Sequence, residues 1–143
     1  MSWLLLTYKL PSEPSARRVY VWRKLKRLGA VTIFEAVWVL PDSPRTHVQF
    51  QWLAAEIQEM NGEAMYWKAQ AELSGQEDGL VQRFSSQVDK AYQEILTKMD
   101  KLDADPGKLS QLYQQVRQRD YFHSPVGQLV RGKLLAVREG ESL

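Results

Sequence analysis

Hydrophobic and polar positions recur at two different periods along this chain, and the change of period divides it near residue 73. Ser2 to Leu10 (SWLLLTYKL) is a short, apolar, β-favouring run closed by Pro11, and it reads as a buried strand. Ser12-Glu-Pro-Ser15 is a turn, with Ser15 placed to cap a helix. From Ala16 to Leu28, winding at 100° per residue gathers Val21, Trp22, Leu25 and Leu28 into one arc of about 120°, so a two-faced helix is predicted. Gly29 is its natural stop. Val31 to Leu40 (VTIFEAVWVL) is too β-branched and aromatic for a helix and too long for one strand. It predicts two strand segments separated by a kink or bulge near Glu35-Ala36, ending at Pro41.

Thr46 and Gln49 have the spacing of a capping box for a helix running to about Met60. Its core stripe is Phe50, Leu53, Ile57 and Met60, while Val48, Trp52 and Ala55 form a second apolar patch that needs a partner. After Asn61-Gly62, Met65, Trp67, Ala69, Ala71 and Leu73 alternate with polar neighbours, the pattern of a half-buried strand. The first 73 residues therefore read βαββαβ, an antiparallel sheet with two helices on one face. All five tryptophans (3, 22, 38, 52 and 67) fall in these segments, one in each, which suggests a single core.

Beyond Ser74 the period is helical. Ser74 and Glu77 predict another capping box, opening a helix to about Leu102 with a narrow stripe of Leu80, Phe84, Val88, Ala91, Ile95, Met99 and Leu102. Asp105-Pro106 starts a second helix (Leu109, Leu112, Tyr113, Val116), and Ser124-Pro125 a third (Val126, Leu129, Val130, Leu134, Val137). Residues 138–143 are expected to fray. The predicted architecture is α+β: an α/β core over 1–73, then a helical extension of about three helices over 74–143. That extension is expected to pack on the core or on a second subunit. The unpartnered stripe and the Val48/Trp52/Ala55 patch together predict a homo-oligomer, most simply a dimer, with those three residues at the interface.

Composition removes most chemistry. The absence of cysteine excludes disulfides and thiolate sites. The longest apolar run, Trp3 to Leu6, is too short for a signal peptide or a spanning helix, so no membrane association and a cytoplasmic location are expected. His47 and His123 stand alone at predicted helix starts, without a metal-ligand spacing. Ser85-Ser86 lie inside a helix without a glycine elbow, and no glycine-rich phosphate loop occurs. Acid pairs such as Asp103/Asp105 sit at helix ends, where capping explains them. No catalytic residue, metal or cofactor is expected, and the chain reads as a non-catalytic module.

Charge distribution is the strongest functional signal. Net charge is only +2, yet residues 1–30 hold seven Lys/Arg against Glu13 alone. Arg17, Arg18, Arg23, Lys24, Lys26 and Arg27 crowd the first helix, where they could neutralise phosphates or hold an oxyanion such as chromate or sulfate. Arg18 falls between Trp22 and Leu25 in the apolar arc, so its guanidinium must snorkel out or meet a carboxylate.

These segments (WLLLTYKLP, PSARRVYVWRKLKRLGAV, the strand end VWVLP and the turn RDYFHSP) resemble the N-terminal region of the chromate-resistance protein family ChrB. The resemblance implies a chromate-responsive transcriptional regulator encoded beside a chromate efflux transporter, whose longer members carry a second, C-terminal domain not present in this sequence. DNA or an oxyanion would be its partner. A more distant resemblance links the α/β half to the ferredoxin-like domain of phenylacetate-degradation repressors and of small CRISPR-associated adaptor proteins. Some of the latter are metal-dependent nucleases that use a Tyr-Asp pair on strand one. Tyr8-Lys9 stands there in this chain, and a lysine cannot ligate Mg²⁺, so nuclease chemistry by that route is not expected. The alternative reading is a dimerisation or protein-interaction module without nucleic-acid binding.

Overall fold

The computed structural model describes residues 1–141. Its elements are β1 (Trp3–Lys9), α1 (Ser15–Leu28), β2 (Val31–Ile33), β3 (Val37–Pro41), α2 (Pro44–Glu59), β4 (Glu63–Ala69), α3 (Gln76–Met99), α4 (Pro106–Gln118) and α5 (Pro125–Glu141). The strands form one sheet in the order β2-β3-β1-β4, every neighbouring pair antiparallel. With a helix crossing from β1 to β2 and another from β3 to β4, this is the ferredoxin-like βαββαβ arrangement followed by three helices. The α+β expectation holds. The chain separates into two compact units, Met1–Leu80 and Val81–Leu143, with the boundary inside α3.

In the first unit Leu4, Leu6, Trp38 and Leu40 of the sheet are buried, as are Val21 and Leu25 of α1 and Phe50, Leu53 and Ile57 of α2. α1 ends where Gly29 adopts a left-handed backbone (φ 79°), a conformation that costs glycine nothing. Ser15, expected to cap α1, lies inside it; Pro14 holds the cap position and no side chain caps the helix there. The break expected near Glu35-Ala36 is a full reversal. Phe34 and Glu35 both have positive φ (53° and 58°), the Ala36 N–H donates to the Ile33 carbonyl, and β2 folds back on β3 as a hairpin.

The capping box of α2 lies three residues earlier than its expected place. Pro44 takes the first helical position, which suits a residue without an N–H, so Ser43 is the cap and Thr46 its reciprocal partner. The Thr46 N–H donates to Ser43 Oγ (3.1 Å) and the Ser43 N–H to Thr46 Oγ1 (2.9 Å). Gln49 has no part in it.

The five tryptophans do not share one core. Trp3 and Trp38 are buried, but Trp22, Trp52 and Trp67 are 50%, 67% and 48% exposed. Register explains Trp67: it pairs with Leu5, and Met65 with Thr7, on the sheet face opposite the one α2 covers. Tyr66 and Lys68 point toward α2 instead. The Tyr66 ring meets His47 edge-on at 5.8 Å and Lys68 Nζ reaches Asp42 Oδ2 at 3.2 Å. β4 also stops at Ala69, leaving Leu73 outside the sheet and exposed.

In the second unit, Val88, Tyr92 and Ile95 of α3, Leu109, Tyr113 and Val116 of α4, and Val130 of α5 form a three-helix core. Asp105 caps α4 as expected, accepting from the Gly107 N–H at 3.0 Å, and Ser124 Oγ accepts from the Val126 N–H of α5 at 3.1 Å. Three expectations fail. Leu102 lies beyond α3 and is exposed; Glu77, expected to pair with Ser74, accepts from Trp3 Nε1 (3.3 Å); and α5 stays helical to Glu141 rather than fraying from residue 138. Ser142 and Leu143 lie outside the described residues.

Candidate nucleic-acid or anion interface

α1 has Val21 and Leu25 on its buried side, so at 100° per residue Arg23 and Arg27 fall on the opposite crest, with Lys26 beside them. The same winding sends Arg17 and Lys24 down the flank toward α2 and Arg18 down the other flank. The six basic residues therefore occupy three settings, and the structure separates what the sequence grouped.

On the α2 flank the cations are occupied. The Arg17 guanidinium donates to the Met60 carbonyl (3.0 Å), satisfying an acceptor at the C-terminus of α2 where a positive charge is also favoured by the helix dipole. Lys24 Nζ lies 3.0 Å from Glu56 Oε1, and the Tyr20 hydroxyl donates to Glu56 Oε2. The hydrogen bond to Glu56 pushes the Lys24 ammonium above the ordinary lysine range. Partial burial works against charge on Glu56, but the hydrogen bonds from Tyr20 and Lys24 outweigh it, and the carboxyl sits below its ordinary range. Tyr20, the aromatic of the basic face, is thus held by an acid rather than free to stack on a base.

The crest is different. Arg23 and Arg27 border a shallow recess of about 400 Å³ with Ala16, Val19, Tyr20 and Lys24. Among the described residues neither arginine has a hydrogen-bond or ion-pair partner. Lys26 Nζ stands 5.7 Å from the centre of the Trp22 ring, a cation–π contact that leaves its charge uncompensated. Trp22 was expected in the core arc; at the edge of that arc it serves as a platform for Lys26. Arg18 snorkels out of the apolar arc and is exposed, and its charge is felt by the half-buried Tyr8. Burial raises the Tyr8 hydroxyl above its ordinary range, against opposing effects of Trp38 and Arg18.

Val48, Trp52 and Ala55 lie together on the outer side of α2, all exposed, and Glu56 follows directly. The two histidines go separate ways: His47 Nε2 lies 3.3 Å from Asp42 Oδ1, and His123 stands in the turn before α5 with a left-handed backbone (φ 54°).

The RDYFHSP turn has a structural use that its sequence did not reveal. Asp120 accepts from the Ser124 N–H (3.1 Å) and from the Tyr92 hydroxyl (2.9 Å), while Ser124 Oγ donates to Asp89. These bonds tie the α4–α5 turn to α3. Burial, then the bond to Asp120, raises the Tyr92 phenol well above its ordinary range.

Residues 18–108, well over half of the sequence, match the family model described as Protein ChrB, N-terminal. The chain belongs to the ChrB N-terminal family. Protein ChrB of Cupriavidus metallidurans is 33% identical over 70 residues, which is 49% of this chain and 22% of that protein. The match therefore spans about a fifth of that relative's length. No solved structure matches. The ChrB-family match covers five of the six basic residues and all of α2, whereas WLLLTYKLP and RDYFHSP lie outside it. No helix among the described residues is long and apolar enough to cross a membrane.

Proposed function

We propose that this chain is a regulatory module associated with chromate resistance, and that the crest of α1 contacts the phosphate backbone of DNA. The observation that carries this reading is the uncompensated charge of Arg23, Lys26 and Arg27 on the crest, while Arg17 and Lys24 of the same helix are engaged with α2. Guanidinium groups suit phosphate because their planar fork offers paired donors. Membership of the ChrB N-terminal family supports the link to chromate resistance. No base-reading element is part of this proposal, since phosphate contacts position a protein without specifying sequence.

A second reading has its own observation. Trp52 is 67% exposed beside exposed Val48 and Ala55, a cluster of the kind that anchors protein interfaces. In that reading the module pairs with a second copy or another protein through α2, and the cations only keep the surface soluble. A labelled duplex from the region upstream of the gene distinguishes the two. Arg23→Gln/Lys26→Gln/Arg27→Gln should abolish binding at low salt and Trp52→Ser should leave it intact. The reverse pattern refutes the DNA reading and supports the interaction module.

A further inference from the structure

We infer that the second unit contains a binding site for a small oxyanion of the sulfate or phosphate class, where α3, α4 and α5 meet. The site is a recess of about 130 Å³, room for roughly four water molecules. Its floor is the Tyr92 and Tyr113 rings, 6.0 Å apart, and its rim carries Arg117 of α4, Arg131 of α5 and His123 of the connecting turn. It lies on a different unit from the α1 crest and does not depend on the DNA reading.

The first observation is a donor without an acceptor. Tyr113 is 8% exposed and lines the recess, yet among the described residues its hydroxyl has no hydrogen-bond partner. The Tyr113 hydroxyl is not one of the polar atoms shut away from solvent, so it opens on the recess and is available to donate to an anion there. The neighbouring Tyr92 hydroxyl does not fill the role, because it donates to Asp120.

The second observation is charge. Arg117 and Arg131 are both exposed at the rim, and neither has an ion-pair partner among the described residues. The one carboxylate on the wall, Asp120, is turned to the protein: its oxygens accept the Ser124 N–H and the Tyr92 hydroxyl. Two guanidinium groups thus outnumber one engaged carboxylate, with His123 as a further donor. Two fork-shaped cations around a phenol that is available to donate match an anion with several equivalent oxygens better than a lone chloride.

Calorimetric titration of the full chain with sodium sulfate, against sodium chloride at equal ionic strength, tests this site. Wild type should bind sulfate and not chloride. Arg117→Gln/Arg131→Gln should weaken sulfate at least about tenfold and Tyr113→Phe about fivefold. Arg23→Gln/Arg27→Gln should leave it unchanged. Without sulfate, Tyr113→Phe should be at least as stable as wild type, because the hydroxyl it removes bonds to none of the described residues. General salting effects of sulfate would act equally on every variant. The inference is overturned if sulfate binds no better than chloride, if Tyr113→Phe binds as wild type, or if the α1 pair abolishes the signal.

Discussion

Replacing Gly127 by alanine should destabilise the protein, although the same change at Gly132, on the same helix, should stabilise it. In a helix interior, Gly→Ala gains about 1 kcal/mol because alanine loses less backbone entropy. At Gly132 nothing lies within 4 Å of the added Cβ, so that gain should appear in full. At Gly127 the Cβ would stand 2.7 Å from Tyr92 Cε2 and 2.8 Å from Cζ. The ring cannot retreat, because Tyr92 is fully buried and its hydroxyl is fixed on Asp120 at 2.9 Å. Overpacking of this kind costs about 1–3 kcal/mol. Loss of the hydrogen bond to the Asp120 carboxylate would add about 1.5–3 kcal/mol if the ring were displaced. Subtracting the helix gain leaves Gly127→Ala about 0–2 kcal/mol less stable than wild type if the bond survives and about 1.5–5 kcal/mol less stable if it is lost, and Gly132→Ala up to about 1 kcal/mol more stable. Urea unfolding followed by far-UV circular dichroism reads both values. Equal stability of the two variants would mean that α5 does not lie against Tyr92 at this spacing, and the packing of the second unit would need to be redrawn.

Two further outcomes concern the first unit. Thr46→Val keeps the shape of a fully buried side chain but removes the hydroxyl that donates to the Pro41 carbonyl (2.5 Å) and accepts from the Ser43 N–H (2.9 Å), so urea denaturation should show a loss of about 1–3 kcal/mol; a loss below about 0.5 kcal/mol would contradict the capping geometry. The Glu56 carboxyl is held below its ordinary value of 4.5, so its contribution is present above that pH and fades as pH falls through the lower folded value. With Lys24 and Glu56 both partly exposed that contribution is at most about 1 kcal/mol, and the gap in melting temperature between wild type and Glu56→Gln should be present at pH 7 and close below pH 4.5. A gap that widened in acid would reverse the assigned sign.

The βαββαβ order was legible because each segment carried its own period and was closed by proline or glycine, as at Pro11, Gly29, Pro41 and Gly62. What escaped has physical causes. The β2–β3 turn contains no glycine, proline, asparagine or aspartate, so the sequence showed a kink near Glu35-Ala36 but not that Phe34 and Glu35 turn left-handed and reverse the chain into a hairpin. The alternation in β4 gave its two faces but not which of them meets α2; that depends on register with β1, where Trp67 pairs with Leu5. Tyr92 was absent from the expected α3 stripe because a tyrosine reads as half polar until Asp120, 28 residues away, supplies its acceptor. The basic helix was visible as a cluster, but its division was not. Only the fold brings Glu56 and the Met60 carbonyl alongside α1 and so separates the occupied Arg17 and Lys24 from the crest.

The salt dependence of DNA binding tests the role of that crest most directly. Fluorescence anisotropy of a labelled duplex, titrated between about 50 and 200 mM NaCl, gives the slope of log affinity against log salt. Each phosphate neutralised contributes about −0.9 to that slope, so Arg23, Lys26 and Arg27 together should give about −2.7 per protomer. Arg23→Gln/Arg27→Gln should flatten it by about 1.8. An unchanged slope in that variant, or no association even at the lowest salt, would contradict the assignment of these cations to phosphate.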